Sequence, residues 1–141
     1  CYALECSGYI RAIVDGLRGS LGSASRAMTF ELELAELELS SRQASALGLI
    51  VNELVTNALK HGPWDNTILV KLQKYGKNVR LLVQSSGELP AGFSLEGQKG
   101  FGLMLSAELA RQLGGSLCFR STGGSVEFSV DFLLESGPHQ V

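Results

Sequence analysis

One stretch, Leu47 to Gly62, constrains this chain more than any other part of it. It reads Leu-Gly-Leu-Ile-Val-Asn-Glu-Leu-Val-Thr-Asn-Ala-Leu-Lys-His-Gly. At the helical step of roughly 100° per residue, Ile50, Val51, Leu54, Val55 and Ala58 gather on one side. Glu53, Asn57, Lys60 and His61 fall within an arc of roughly 100° beside them. A single helix therefore carries both a core-facing stripe and a compact polar face. A carboxylate, a carboxamide, an ammonium and an imidazole on adjacent turns can hold a metal, its bound water and a phosphate. The same four residues also read as a solvated helix face. Asn57 favours the site, because Asn is a poor mid-helix residue and nothing local calls for it there.

The flanking sequence says where this helix begins and ends. Ser40-Ser41-Arg42-Gln43 has the S-x-x-Q spacing of a capping box, which opens the helix near Gln43, and Gly62-Pro63 closes it. Upstream, Leu4, Tyr9, Ile10, Ile13, Val14, Leu17 and Leu21 recur at threes and fours, which predicts an amphipathic helix over 2–21 that stops at Gly22. Met28 to Leu34 alternates strictly and predicts a strand with Phe30, Leu32 and Leu34 on one face, followed by a turn at Ala35-Glu36. Downstream, Thr67–Leu72 and Val79–Ser85 flank the turn-rich Tyr75-Gly76-Lys77-Asn78 and predict a hairpin. Ser86 to Gly100 holds Gly87, Pro90, Gly92, Gly97 and Gly100 and reads as a mobile loop of functional length. Helical periodicity returns from Leu103 to Leu113 through Leu105, Leu109 and Ala110, and ends at Gly114-Gly115. Ser116–Arg120 and Ser125–Phe132 around Gly123-Gly124 predict a second hairpin.

This order, helix, strand, helix, hairpin, loop, helix, hairpin, defines the expected fold class. It is an α/β (α+β) two-layer sandwich, with a mixed, largely antiparallel sheet covered by helices on one face. With 141 residues, 45% of them hydrophobic and 18% charged, the chain suits one domain over 1–134 and a flexible tail over 135–141. A formal charge of −2, with no run of Lys or Arg, argues against a nucleic-acid partner but leaves room for one bound nucleotide. Cys1, Cys6 and Cys118 are odd in number and lack paired CxxC spacing, so neither a zinc site nor a disulfide framework is expected, and a reducing cytoplasm suits the chain. No apolar run approaches the roughly 20 residues of a membrane span, so no membrane contact is expected of this domain. A chain that starts at Cys1 without Met and lacks a signal-peptide pattern reads as a fragment of something longer.

Lys99-Gly100-Phe101-Gly102-Leu103 lies immediately before the third predicted helix. Glycines let backbone N–H groups approach an anion closely, and the unpaired N–H groups of a helix start add a positive end. The segment is a phosphate cradle by mechanism and a tight loop-to-helix turn by the plainer reading. Its pairing with the polar face around Asn57, across a glycine-rich loop, favours the cradle.

Asn52 to Gly62, Asn-Glu-Leu-Val-Thr-Asn-Ala-Leu-Lys-His-Gly, closely resembles the N box of the GHKL ATPase superfamily, above all of sensor histidine kinases. Lys99 to Gly115, Lys-Gly-Phe-Gly-Leu-Met-Leu-Ser-Ala-Glu-Leu-Ala-Arg-Gln-Leu-Gly-Gly, resembles the second glycine box and the helix after it in bacterial sensor kinases with a short lid. Tyr9 to Leu17 is similar to the opening helix of the HisKA_2/HWE-like subgroup, and Gly124-Ser125 with Phe128 is similar to the terminal glycine box. The resemblance implies the Bergerat ATP-binding fold, with ATP and Mg²⁺ as cofactors.

Carried over residue by residue, it implies that Asn57 ligates Mg²⁺ and that Glu53 occupies the place of a metal-water or general-base carboxylate. Lys60 would meet phosphate and His61 would line the nucleotide, although a helix-end interaction with the dipole explains His61 equally well. Gly100, Phe101 and Gly102, with the N–H groups of Leu103 and Met104, would wrap the phosphates. Ser85, Gly87 and Ser125 would complete the nucleotide-binding set. One motif departs from the family pattern. Where the adenine box reads Asp-x-Gly-x-Gly, this chain has Ser85-Ser86-Gly87-Glu88-Leu89, with a neutral hydroxyl in place of the carboxylate and Leu89 in place of the second glycine.

Two readings follow. In the first, the chain is the catalytic and ATP-binding domain of a two-component sensor histidine kinase. Its partners would be a dimerisation and phosphoacceptor domain of the same or another protein and, downstream, a response regulator. The histidines present are His61 and His139, and neither resembles a phosphoacceptor, so the acceptor would lie outside this fragment. In the second, it is a degenerate Bergerat domain that acts in docking or phosphotransfer. A Ser/Thr kinase of the anti-sigma type shares the fold and fits the sequence less well. The isolated domain suits a monomer.

Overall fold

A computed structural model describes residues 3–20, 28–63, 65–89 and 103–135. The chain runs β1 (Ala3–Glu5), α1 (Cys6–Ser20), β2 (Thr29–Leu34), β3 (Glu38–Ser40) and α2 (Ser41–His61). It continues through β4 (Thr67–Tyr75), β5 (Asn78–Ser86), α3 (Leu103–Gln112), β6 (Ser116–Thr122) and β7 (Ser125–Leu133). A five-stranded sheet has the order β2-β4-β5-β7-β6. Only β2 and β4 are parallel in it, and the other pairs are antiparallel. The expected mixed, largely antiparallel sheet is therefore present.

Period-two alternation decides what each strand buries. Ile68, Val70 and Leu72 of β4, Val79, Leu81 and Val83 of β5, and Val126, Phe128, Val130 and Phe132 of β7 are all buried. They share one face because a strand points alternate side chains the same way. Leu47, Ile50, Val51, Leu54 and Val55 of α2 are buried in the same core, and α2 packs against both α1 and α3. Each such side chain contributes about 1.5–3 kcal/mol on leaving water. The opposite face of the sheet carries ion pairs laid across strands, among them Arg80 to Asp131 at 2.8 Å and Lys71 to Glu33 at 3.8 Å. These pairs are open to solvent and contribute little to stability.

Two boundaries differ from the sequence reading. The first helix starts at Cys6 instead of residue 2, because Glu5 captures its first turn. The Glu5 carboxylate accepts from Gly8 N–H at 2.9 Å and from Ser7 N–H at 3.1 Å. The Gly8 bond leads in holding its carboxyl below the ordinary range, followed by the Ser7 hydroxyl. The residues before it pair with β3, Leu4 opposite Leu39. The second difference concerns the capping box. Ser40 Oγ accepts from Gln43 N at 3.1 Å, as expected, and the helix opens at Ser41.

The Gln43 side chain does not return to the cap. It is buried, donates to Leu133 O at 2.9 Å and accepts from Glu135 N at 3.1 Å. The start of α2 is thus bonded to the end of β7. Glu135, where a flexible tail was expected to begin, also accepts from Ser40 Oγ and Arg42, and Arg42 Nη1 donates to Gln112 O at 3.1 Å. Residues 136–141 lie outside the described residues.

Close backbone approach fixes one turn. A Cβ on Gly115, between α3 and β6, would lie 1.8 Å from Asp131 O. Gly115→Ala is expected to destabilise the fold by about 1–3 kcal/mol, read as a lower urea midpoint. The Glu135 carboxyl, held below its usual range first by Ser40 and then by Arg42, gives a pH test. A lowered folded-state value means its stabilisation is present above the ordinary carboxylate range and disappears as pH falls through the lowered value. The difference in melting temperature between the native chain and Glu135→Gln should therefore shrink from about pH 5 to about pH 3.

Candidate functional site

A cavity of about 280 Å³ opens between the last turns of α2 and the end of β5. Leu54, Asn57, Ala58 and His61 form one wall, at the three- and four-residue spacing that stacks side chains along a helix. The other wall is Val83, Ser85, Ser86 and Gly87, continuing to Glu88 and Leu89. Val126 and Phe128 of β7 join it. The register explains that grouping, since Val83 lies opposite Phe128 and Ser85 opposite Val126. Directly opposed residues share a face, so Ser85 belongs to the helix-covered side with its apolar neighbours.

Asn66 holds the two walls at a fixed spacing. Fully buried, it donates from Nδ2 to Ala58 O at 2.9 Å and accepts at Oδ1 from Ser86 N at 2.8 Å. One carboxamide thus satisfies a carbonyl from the last turns of α2 and an N–H at the end of β5. Ser86 Oγ accepts from Thr67 N at 3.2 Å, which turns that hydroxyl toward β4. Gly62 is required beside this clamp, because a Cβ there would lie 2.3 Å from Asn66 Nδ2 and 2.5 Å from Ala58 O. Gly87 has φ +117° and donates to Gly124 O at 2.8 Å, a conformation that glycine alone adopts readily.

Asn57, His61, Ser85 and Gly87, singled out from the sequence, meet at this cavity. Asn57 is 8% exposed, a buried carboxamide between the apolar Leu54 and Ala58. Glu53 and Lys60 flank it on α2, half-buried and exposed respectively, and are not among the lining residues. At the start of α3, Leu103 buries its side chain in the core, whereas Met104 is 64% exposed. Gly100, Phe101 and Gly102 lie outside the described residues. Ser125 sits on the other side of the sheet, where Gln84 Nε2 donates to its hydroxyl at 2.9 Å beside a shallower depression that includes Glu31 and Thr67.

Asn66, Glu88 and Leu89 were not singled out as site residues. The sequence offered little signal for Asn66, which follows Pro63 in a segment where Asn is an ordinary turn residue. Among the described residues no group of three or more His, Cys, Asp or Glu could hold a metal ion. No helix among them is long and apolar enough to cross a membrane.

A mixed sheet covered on one face by helices, with a part-polar cavity between the central helix and the strand ends, is the architecture of a Bergerat-type ATPase domain. Residues 42–136 match the histidine kinase-, DNA gyrase B-, and HSP90-like ATPase family, and the chain belongs to that family. Such membership implies ATP binding.

Solved structures show the same fold. The histidine kinase domain of the Erythrobacter litoralis EL346 blue-light activated histidine kinase is 19% identical with a TM-score of 0.83 over 93% of this chain and 62% of that one. The chain thus spans less than two thirds of that domain. The catalytic domain of histidine kinase ThkA is 18% identical with a TM-score of 0.80 over 94% of this chain and 95% of that one. For the Acinetobacter baumannii histidine kinase AdeS the values are 14%, 0.74, 96% and 68%. No curated protein matches the sequence.

Replacing Asn66 by Ala would leave the buried end of β5 with an unmet Ser86 N–H and the Ala58 carbonyl with Gly62 N alone. The expected loss is about 1–3 kcal/mol of folding stability, measured by urea titration, with a wild-type-like circular dichroism spectrum in the folded baseline.

Proposed function

We propose that the cavity is an ATP site and that the chain is the catalytic and ATP-binding domain of a sensor histidine kinase. The acceptor would be a histidine on a dimerisation and phosphoacceptor domain of the same or another protein, with a response regulator downstream. The observation that carries this reading is the convergence of the buried Asn57 with His61, Ser85 and Gly87 on one partly apolar cavity. Likeness to the HisKA_2/HWE subgroup rests on Tyr9 to Leu17, outside the matched residues 42–136.

The residues present fit both groups. Leu54, Val83, Leu89 and Phe128 give a heteroaromatic base apolar surfaces that exclude water. Mg²⁺ commonly takes only one or two protein oxygens and completes its shell with phosphate oxygens and water. A single carboxamide oxygen from Asn57 therefore suffices, and no carboxylate cluster is needed. Glu53, one turn before Asn57 on α2, would orient a metal-bound water on this reading. When bound, Mg-ATP supplies the transferable γ-phosphoryl group and the cation that offsets its charge. Lys60, exposed at the end of α2, acts on phosphate as a point charge. Gly100, Phe101 and Gly102, with the N–H groups of Leu103 and Met104, would enclose the phosphates at the start of α3. Catalysis on this plan is positioning and charge stabilisation.

A second reading, a docking or phosphotransfer module without turnover, is favoured by Ser85 and Leu89 in the adenine box. Leu89 packs against the hydrophobic core and occupies part of the cavity wall. Calorimetric titration with a non-hydrolysable ATP analogue separates the two. Magnesium-dependent binding at micromolar to sub-millimolar affinity supports the kinase, and silence up to millimolar nucleotide from folded protein supports the docking module. Asn57→Ala is expected to weaken Mg-dependent binding at least about tenfold, a loss of about 1.4 kcal/mol or more. Unchanged affinity would remove Asn57 from the site.

A further inference from the structure

The polar groups of the cavity sort by depth. Glu88 and His61 are exposed at the rim, and Ser86 turns its hydroxyl to Thr67 N on β4. Asn57 is assigned above to the metal and phosphates. Ser85 is then the side chain left to meet the edge of a bound base from inside. It is half-buried, with Val83 before it on the strand and Val126 and Ile68 opposite.

We propose that Ser85 gives this cavity relaxed base selectivity, so that it takes 6-oxo purine nucleotides such as GTP and ITP alongside the 6-amino purine ATP. The proposal rests on reading the cavity as the nucleotide site. A hydroxyl carries one donor and two acceptor lone pairs and rotates to suit its partner. It accepts from the 6-amino group of adenine, or donates to the 6-keto oxygen of guanine or hypoxanthine. A carboxylate only accepts, so at this depth it would favour the amine and leave a keto oxygen facing a like partial charge. That difference is commonly worth about tenfold to a hundredfold between the two purine classes. Glu88 could supply such a carboxylate only from the exposed rim, where water competes for it.

The test is calorimetric titration of the chain, with Mg²⁺, against non-hydrolysable ATP and GTP analogues. Dissociation constants within about fivefold of each other are expected, set against the tenfold or more that an accept-only group gives. Ser85→Asp should tighten the ATP analogue, weaken the GTP analogue and open their ratio beyond about tenfold. Ser85→Ala, which adds no charge to the interior, should weaken both analogues by a similar factor. A native chain that binds the ATP analogue more than about thirtyfold tighter than the GTP analogue overturns the proposal, as does a Ser85→Ala variant that binds both as the native chain does. If neither analogue binds up to millimolar while the protein still melts cooperatively, the ATP-site reading itself fails, and the selectivity proposal falls with it.

Discussion

The two walls of the cavity belong to elements that share no local sequence, and a buried carboxamide sets the distance between them. Asn66 bonds Ala58 O on α2 and Ser86 N on β5 at once, in surroundings where an unmet donor or acceptor costs more than a made bond returns. That asymmetry makes the contact a constraint. Either wall can leave only by stranding a polar group in the core. Gly62 follows from the same contact, since the helix must end without a Cβ where Asn66 crosses beneath it.

At its other end α2 is held in a comparable way. Gln43, buried like Asn66, bonds Leu133 O and Glu135 N at the close of β7. Both contacts pair a side-chain amide, able to donate and accept, with backbone groups at the ends of the elements it joins. The apolar stripe between them does most to hold the helix on the sheet, because burial of Leu47, Ile50, Val51, Leu54 and Val55 is the larger energy. The amides decide where along the sheet that stripe rests, which burial alone, being non-directional, does not.

How far the sequence could be read depended on the range of the signal. The stripe and polar arc of α2 were legible because a 3.6-residue period repeats over a long helix, and the hairpins because Gly76, Gly123 and Gly124 mark turns with φ of 63°, 56° and 80°. Asn57, His61, Ser85 and Gly87 were legible as candidates through the wording of their motifs. The strands β1 and β3 were not found, since three residues each are too few to display a period. The parallel pairing of β2 with β4 and the long-range partners of Gln43 and Asn66 were equally out of reach, because they depend on which strand ends meet. The burial of Val126 and Phe128 sets the alternation of β7, and with it Ser125 on the face away from the cavity.

A helix tied at both ends is a beam without axial travel. Sliding α2 along the sheet would break the Gln43 pair and the Asn66 bond together, each worth about 1 kcal/mol or more when its partner is left buried. The compliance of the cavity therefore belongs to its other side, where Gly87 leads the backbone away from β5 through Glu88 and Leu89. Asn57 behaves as the fixed jaw of a vice, Ser86 is clamped opposite it through Asn66, and any give in the opening lies beyond that clamp.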